Sequence, residues 1–94
     1  MSYSDIMAGL KVKYLEDLKV KAAEFFNNPE VFKNPEEIRT FFHQLKGSGA
    51  TYGIPEISEC AKTYEEKVKT NEFSKEDLIQ AEQELTKIIQ NHFD

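Results

Sequence analysis

Apolar residues along this chain recur three and four positions apart, and no stretch alternates with the period of two that a half-buried strand requires. The pattern predicts four amphipathic helices. The first runs from about Ser4 to Asn27, with Ile6, Leu10, Tyr14, Leu18, Ala22 and Phe25 facing inward. Gly9 weakens its first turns. Asn27-Asn28-Pro29 ends it, because proline and the residue before it disfavour helix. Val31 and Phe32 then lie in a short connection, as an apolar plug rather than a helix.

Asn34-Pro35-Glu36-Glu37 opens the second helix: asparagine caps, proline suits the first helical position, and the acids suit the positive end of the dipole. This helix spans about 35–52 and stops at Gly53-Ile54-Pro55. The third covers about 55–69, with Ile57, Cys60, Ala61, Tyr64 and Val68 inward. Ser74-Lys75-Glu76-Asp77 resembles a capping box for the fourth, about 75–92, whose inward stripe is Leu78, Ala81, Leu85, Ile88, Ile89 and His92. Short connections between amphipathic helices predict an all-α, antiparallel up-and-down four-helix bundle.

At 94 residues the chain is expected to form one domain, 1–94, with a modest core. Its 39% hydrophobic and 31% charged residues are ordinary for a globular protein. A net charge of -5 argues against nucleic acid or an anionic membrane surface as partner. No basic-then-apolar leader and no apolar run long enough for a membrane span is present, which predicts neither export nor insertion. Cys60 is the only cysteine, so no internal disulfide is possible, and a cytoplasmic setting is expected.

The second helix carries the candidate chemistry. Ile38, Phe41, Phe42, Leu45, Gly49 and Tyr52 share one face. His43 lies roughly 160° from Leu45 at the centre of that face. It shares an outward stripe with Glu36, Arg39, Lys46, Gly47 and Ala50, and is therefore predicted exposed. Lys46 and Gly47 follow it by three and four positions, the spacing of neighbours on a helix surface. Glycine inside a helix costs about 1 kcal/mol relative to alanine, so Gly47 and Gly49 call for a compensating use. Gly49 points inward and suits close helix packing. Gly47 points outward and leaves open space one turn from the imidazole.

A neutral imidazole is a competent nucleophile near neutral pH. A phosphoryl group in transfer spreads negative charge over its oxygens, which a nearby cation stabilises. Lys46 supplies that cation. The chain has no glycine-rich phosphate cradle, no strand-borne aspartates for magnesium and no nucleotide-site signature, so a metal and a second phosphoryl carrier must come from a partner.

The run Phe41-Phe42-His43-Gln44-Leu45-Lys46-Gly47-Ser48-Gly49-Ala50-Thr51-Tyr52-Gly53-Ile54, continued by Ile57, Cys60, Ala61 and Tyr64-Glu65, resembles the histidine-containing phosphotransfer (HPt) domains of two-component phosphorelays. It also resembles the phosphoacceptor domain of chemotaxis kinases, especially in Gly49-Ala50-Thr51-Tyr52-Gly53. The resemblance covers the second and third helices, about a third of the chain. It implies that His43 is the phosphorylated histidine, that Lys46 meets the phosphoryl group, and that Gly47 keeps the ring accessible. Glu65 matches a position where relatives carry a polar or acidic group bonded to the ring. By periodicity it lies at the edge of the helix pair or as a solvated glutamate.

The implied function is that of a monomeric phosphorelay intermediate with no autonomous enzyme activity and no cofactor of its own. Its implied partners are sensor or hybrid histidine kinases and response-regulator receiver domains, and the receiver carries the magnesium. The phosphoacceptor domain of a chemotaxis-type histidine kinase, a partner-binding bundle without chemistry, and an enzyme using His43 as acid or base are the competing readings.

The remaining candidates read as structural. His92 in the last turn complements the helix dipole. Cys60 reads as a small buried hydrophobe. Phe25, Phe26, Phe32, Phe41, Phe42, Tyr14, Tyr52 and Tyr64 read as core, and Glu65-Glu66-Lys67 and the series Lys11, Lys13, Lys19 and Lys21 as solvated faces. The two histidines, far apart, give no metal constellation.

Overall fold

A computed structural model of the chain describes residues 2–93; the domain expected over 1–94 thus has its two end residues outside the described part. The described residues form α1 (Tyr3–Phe26), a 3-10 turn (Val31–Lys33), α2 (Pro35–Thr51), α3 (Pro55–Lys69) and α4 (Lys75–Phe93), with no strand among them. None of these helices is long and apolar enough to cross a membrane.

Local chemistry sets the helix ends. The Ser2 hydroxyl accepts from the Asp5 backbone N–H while the Asp5 carboxylate reaches back to Ser2, a reciprocal cap that starts α1. Asn34 caps α2 at the Glu37 N–H, with Pro35 in the first turn. Ser74 and Asp77 cap α4 reciprocally, at 2.9 and 3.2 Å. Two residues past the ends of α2 and α3 stands a residue of left-handed conformation, Gly53 (φ 74°) and Asn71 (φ 60°). Each is followed by an N–H returning to the last turn, Ile54 to Gly49 and Glu72 to Lys67, both at 2.8 Å.

In the core, α3 packs against α2 and α4, and α1 against α4. Phe42, Ile54, Ile57, Ala61 and Ala81 are completely enclosed. An aromatic seam joins α1 to α2, with Phe25 stacked on Phe41 at 3.8 Å between ring centres. Phe42 extends it to Tyr64 and Phe73.

Three sequence expectations need correction. Val31 is a buried plug, but the segment closes into a 3-10 turn, Lys33 and Asn34 each donating to a carbonyl three residues back at 3.1 Å. In α1 the inward stripe fails at its start: Ile6 and Leu10 are 47% and 44% exposed, while Leu15, outside that stripe, is buried. The helix has 24 residues against 17 and 15 in α2 and α3, and its first turns overrun the core those helices provide. His92 does not join the core; its Nε2 lies 3.0 Å from Glu56 Oε2, linking the end of α4 to the start of α3.

Candidate functional site

The site begins with the approach of α3 to α2. A Cβ on Gly49 would lie 2.8 Å from the Ser58 backbone nitrogen and 3.0 Å from Ile57 Cγ2, so only glycine lets the two backbones come this close. Ser58 secures the approach by donating its hydroxyl to the Lys46 carbonyl at 2.7 Å. Further along α3, the same packing carries Glu65 beneath His43 and Lys46.

Glu65 is completely buried, a position glutamate almost never takes without a partner. It has three. His43 Nδ1 stands 2.8 Å from Oε2. Lys46 Nζ stands 2.8 Å from Oε1, a close contact of opposite charges. Lys69, one turn beyond Glu65 on α3, brings Nζ to 4.0 Å from Oε2. Burial pushes the Glu65 carboxyl upward, but Lys46 and His43 outweigh it, aided by Lys69, and the group lies below the usual carboxylate range.

An ionised carboxylate only accepts hydrogen bonds, so the contact assigns the proton of a neutral His43 ring to Nδ1. Nε2 then keeps its lone pair. The His43 side chain is 64% exposed, and a Cβ placed on Gly47 would meet nothing within 4 Å. Thr51 donates its hydroxyl to the Gly47 carbonyl at 3.0 Å. The hollow beside the ring, bounded by Arg39, Thr40, His43 and Gln44, is a space of about 200 Å³. It is smaller than the clefts that enclose small-molecule ligands.

The structure therefore brings His43, Lys46 and Glu65 into contact and leaves Gly47 open beside them. The edge or solvated placement of Glu65 is corrected: it is interior. Periodicity misleads here because Glu65 follows the inward Tyr64 and a charged residue defaults to the surface. Lys69 escaped sequence reading, although its i,i+4 spacing from Glu65 is a legible pairing signal. Elsewhere Cys60 is half-buried and its thiol is pushed up to about 12, first by burial and then by Glu84, which keeps it protonated and unreactive. Among the described residues no group of three His, Cys, Asp or Glu side chains is placed to hold a metal ion.

Comparison with family models, with curated proteins and with solved structures gives no match, so a functional reading rests on the residues themselves.

Proposed function

We propose that the chain is a phosphoryl carrier of the histidine phosphotransfer kind, a bundle in antiparallel up-and-down order that takes a phosphoryl group on His43 and passes it on. The observation that carries this reading is the His43–Glu65 contact: a buried carboxylate holds Nδ1 at 2.8 Å and leaves Nε2 on an exposed side chain. Solvated surface histidines have no such anchor.

The chemistry follows from the anchored ring. The Nε2 lone pair attacks phosphorus, the N–P bond forms, and the bond to the donor's oxygen breaks with its electron pair leaving on that oxygen. The proton stays on Nδ1. The ring now has substituents on both nitrogens and carries positive charge, which the Glu65 carboxylate offsets from below. Lys46 offsets the charge on the phosphoryl oxygens from the side. Reversal of the same step returns the phosphoryl group to an acceptor carboxylate.

The small volume of the hollow at His43 favours a macromolecular donor over a small substrate held in a cleft. Receiver domains, whose aspartyl phosphate and magnesium supply what this chain lacks, fit as donor and acceptor, with a sensor or hybrid kinase upstream. The test is to mix the chain with a panel of labelled receivers and follow the label. Transfer to the chain supports the reading; no transfer from any receiver or kinase counts against it.

A further inference from the structure

Lys46 has two tasks that conflict. It is the standing counter-ion of Glu65 Oε1 at 2.8 Å, and in the proposed transfer its charge must serve the incoming phosphoryl oxygens. Moving toward the phosphoryl group weakens its hold on a carboxylate that has no contact with water. A buried charge left without compensation is strongly unfavourable. The contact is short, so giving it up calls for another cation near the carboxylate.

Lys69 is placed to resolve the conflict. It lies on α3, one turn from Glu65, with Nζ 4.0 Å from Oε2 and a side chain 43% exposed. It belongs to the same helix as the carboxylate, so it follows Glu65 whatever happens on α2. Its present distance is too long for a hydrogen bond and short enough for a small side-chain rotation to make one.

We propose that Lys69 is a reserve counter-ion, closing on Glu65 as Lys46 turns to the phosphoryl group, and thereby a positioning residue for transfer. The inference rests on the phosphoryl-carrier reading. In the resting chain Lys46 is the nearer cation. With the phosphoryl group present, Lys46 faces its oxygens, Lys69 faces Glu65, and the carboxylate stays compensated while it holds Nδ1 of the charged ring. Without Lys69, release of Lys46 leaves Oε1 without its near cation and only the charged ring at Oε2 to offset Glu65, and the phosphoryl group arrives at a site whose cation is still bound below.

The test compares wild type, Lys69→Met and Lys69→Arg for uptake of phosphoryl from phosphoramidate, a small donor that needs no protein partner, followed by phosphorus NMR. Thermal melts are run on the same samples. Lys69→Met is expected to accept phosphoryl about five-fold more slowly, the upper value for a partly exposed ion pair, with only a small change in melting temperature because Lys46 is the nearer cation in the resting chain. Lys69→Arg restores the rate. In a Lys46→Met background the Lys69→Met change is expected to lower the melting temperature, because Lys69 is there the permanent counter-ion. Uptake by Lys69→Met at the wild-type rate overturns the reserve role and leaves the carrier reading intact. Slowing that comes with a lower melting temperature and is not rescued by arginine overturns it as well. A wild type that takes no phosphoryl group on His43 from phosphoramidate or from receivers overturns both readings.

Discussion

Gly49 faces the Ser58 backbone so closely that a Cβ would lie 2.8 Å from its nitrogen, whereas a Cβ on Gly47, two residues away, would meet nothing. Two glycines in one helix thus have opposite reasons for being there. Gly49→Ala pushes α3 outward and is expected to destabilise by about 1–3 kcal/mol, as overpacking does. Gly47→Ala is expected to stabilise by up to about 1 kcal/mol on helix propensity alone. Urea unfolding of the two variants checks both signs, and equal shifts contradict the assignment.

The same contrast gives a functional prediction. Gly47→Leu places a branched side chain one turn from His43 on the outward stripe, where it obstructs the in-line approach to Nε2. Transfer from receivers is expected to fall sharply while the melting temperature stays near that of the wild type. A large loss of stability in this variant would show that Gly47 packs against something and would remove the access argument.

Lys46→Ala removes the cation but not the nucleophile. Transfer is expected to slow by roughly ten- to a hundred-fold without disappearing, as when one charge-stabilising group is lost from a site. Rapid-quench measurement of phosphoryl uptake decides, and an unaltered rate excludes Lys46 from the chemistry.

Acid stability should reveal a second buried carboxylate. Hydrogen bonds from Lys67 and from the Ser74 backbone hold the Asp77 carboxyl below its usual range against the opposing effect of burial. A carboxyl depressed in the folded state stabilises above its unfolded pKa and loses that contribution as pH falls through the folded one. The Asp77 contribution is therefore present in full at neutral pH and drains away below about pH 4. Urea midpoints of wild type and Asp77→Asn are expected to differ most at neutral pH and to converge in acid. A gap independent of pH would contradict the ion-pair account.

Much of this architecture is legible in the sequence because helix ends are local. Asn34-Pro35, Gly53-Ile54-Pro55 and Ser74–Asp77 each contain their own cap or stop, and the helices begin and end there within a residue or two. What is not local is not legible in the same way. Ile6 and Leu10 have the spacing of core residues, but burial needs an opposing helix, and pattern alone carries no information about where the neighbours stop. The outward face of His43 and the open side of Gly47 follow from helical geometry. The burial of Glu65 does not, since it depends on how closely Gly49 lets α3 approach and on cations from two helices meeting one carboxylate.

Glu65→Gln tests that carboxylate. Glutamine can still accept from Nδ1, so the ring keeps its orientation, but it cannot offset the positive charge of a phosphorylated ring. Transfer is expected to slow by roughly ten-fold or more, and nitrogen NMR of the resting chain should still report the proton on Nδ1. A wild-type rate in Glu65→Gln would make the carboxylate's charge irrelevant to the chemistry.

The central claim is that His43 is the phosphoryl acceptor, and His43→Gln tests it most directly. The side chain is exposed, and its replacement should leave the unfolding free energy within about 1 kcal/mol of the wild type. Wild type and variant are incubated with the same phosphorylated receiver, and label on the chain is measured after acid and after base treatment. The account predicts acid-labile, base-stable label on the wild type and none on His43→Gln. Label of that kind persisting on the variant would contradict it.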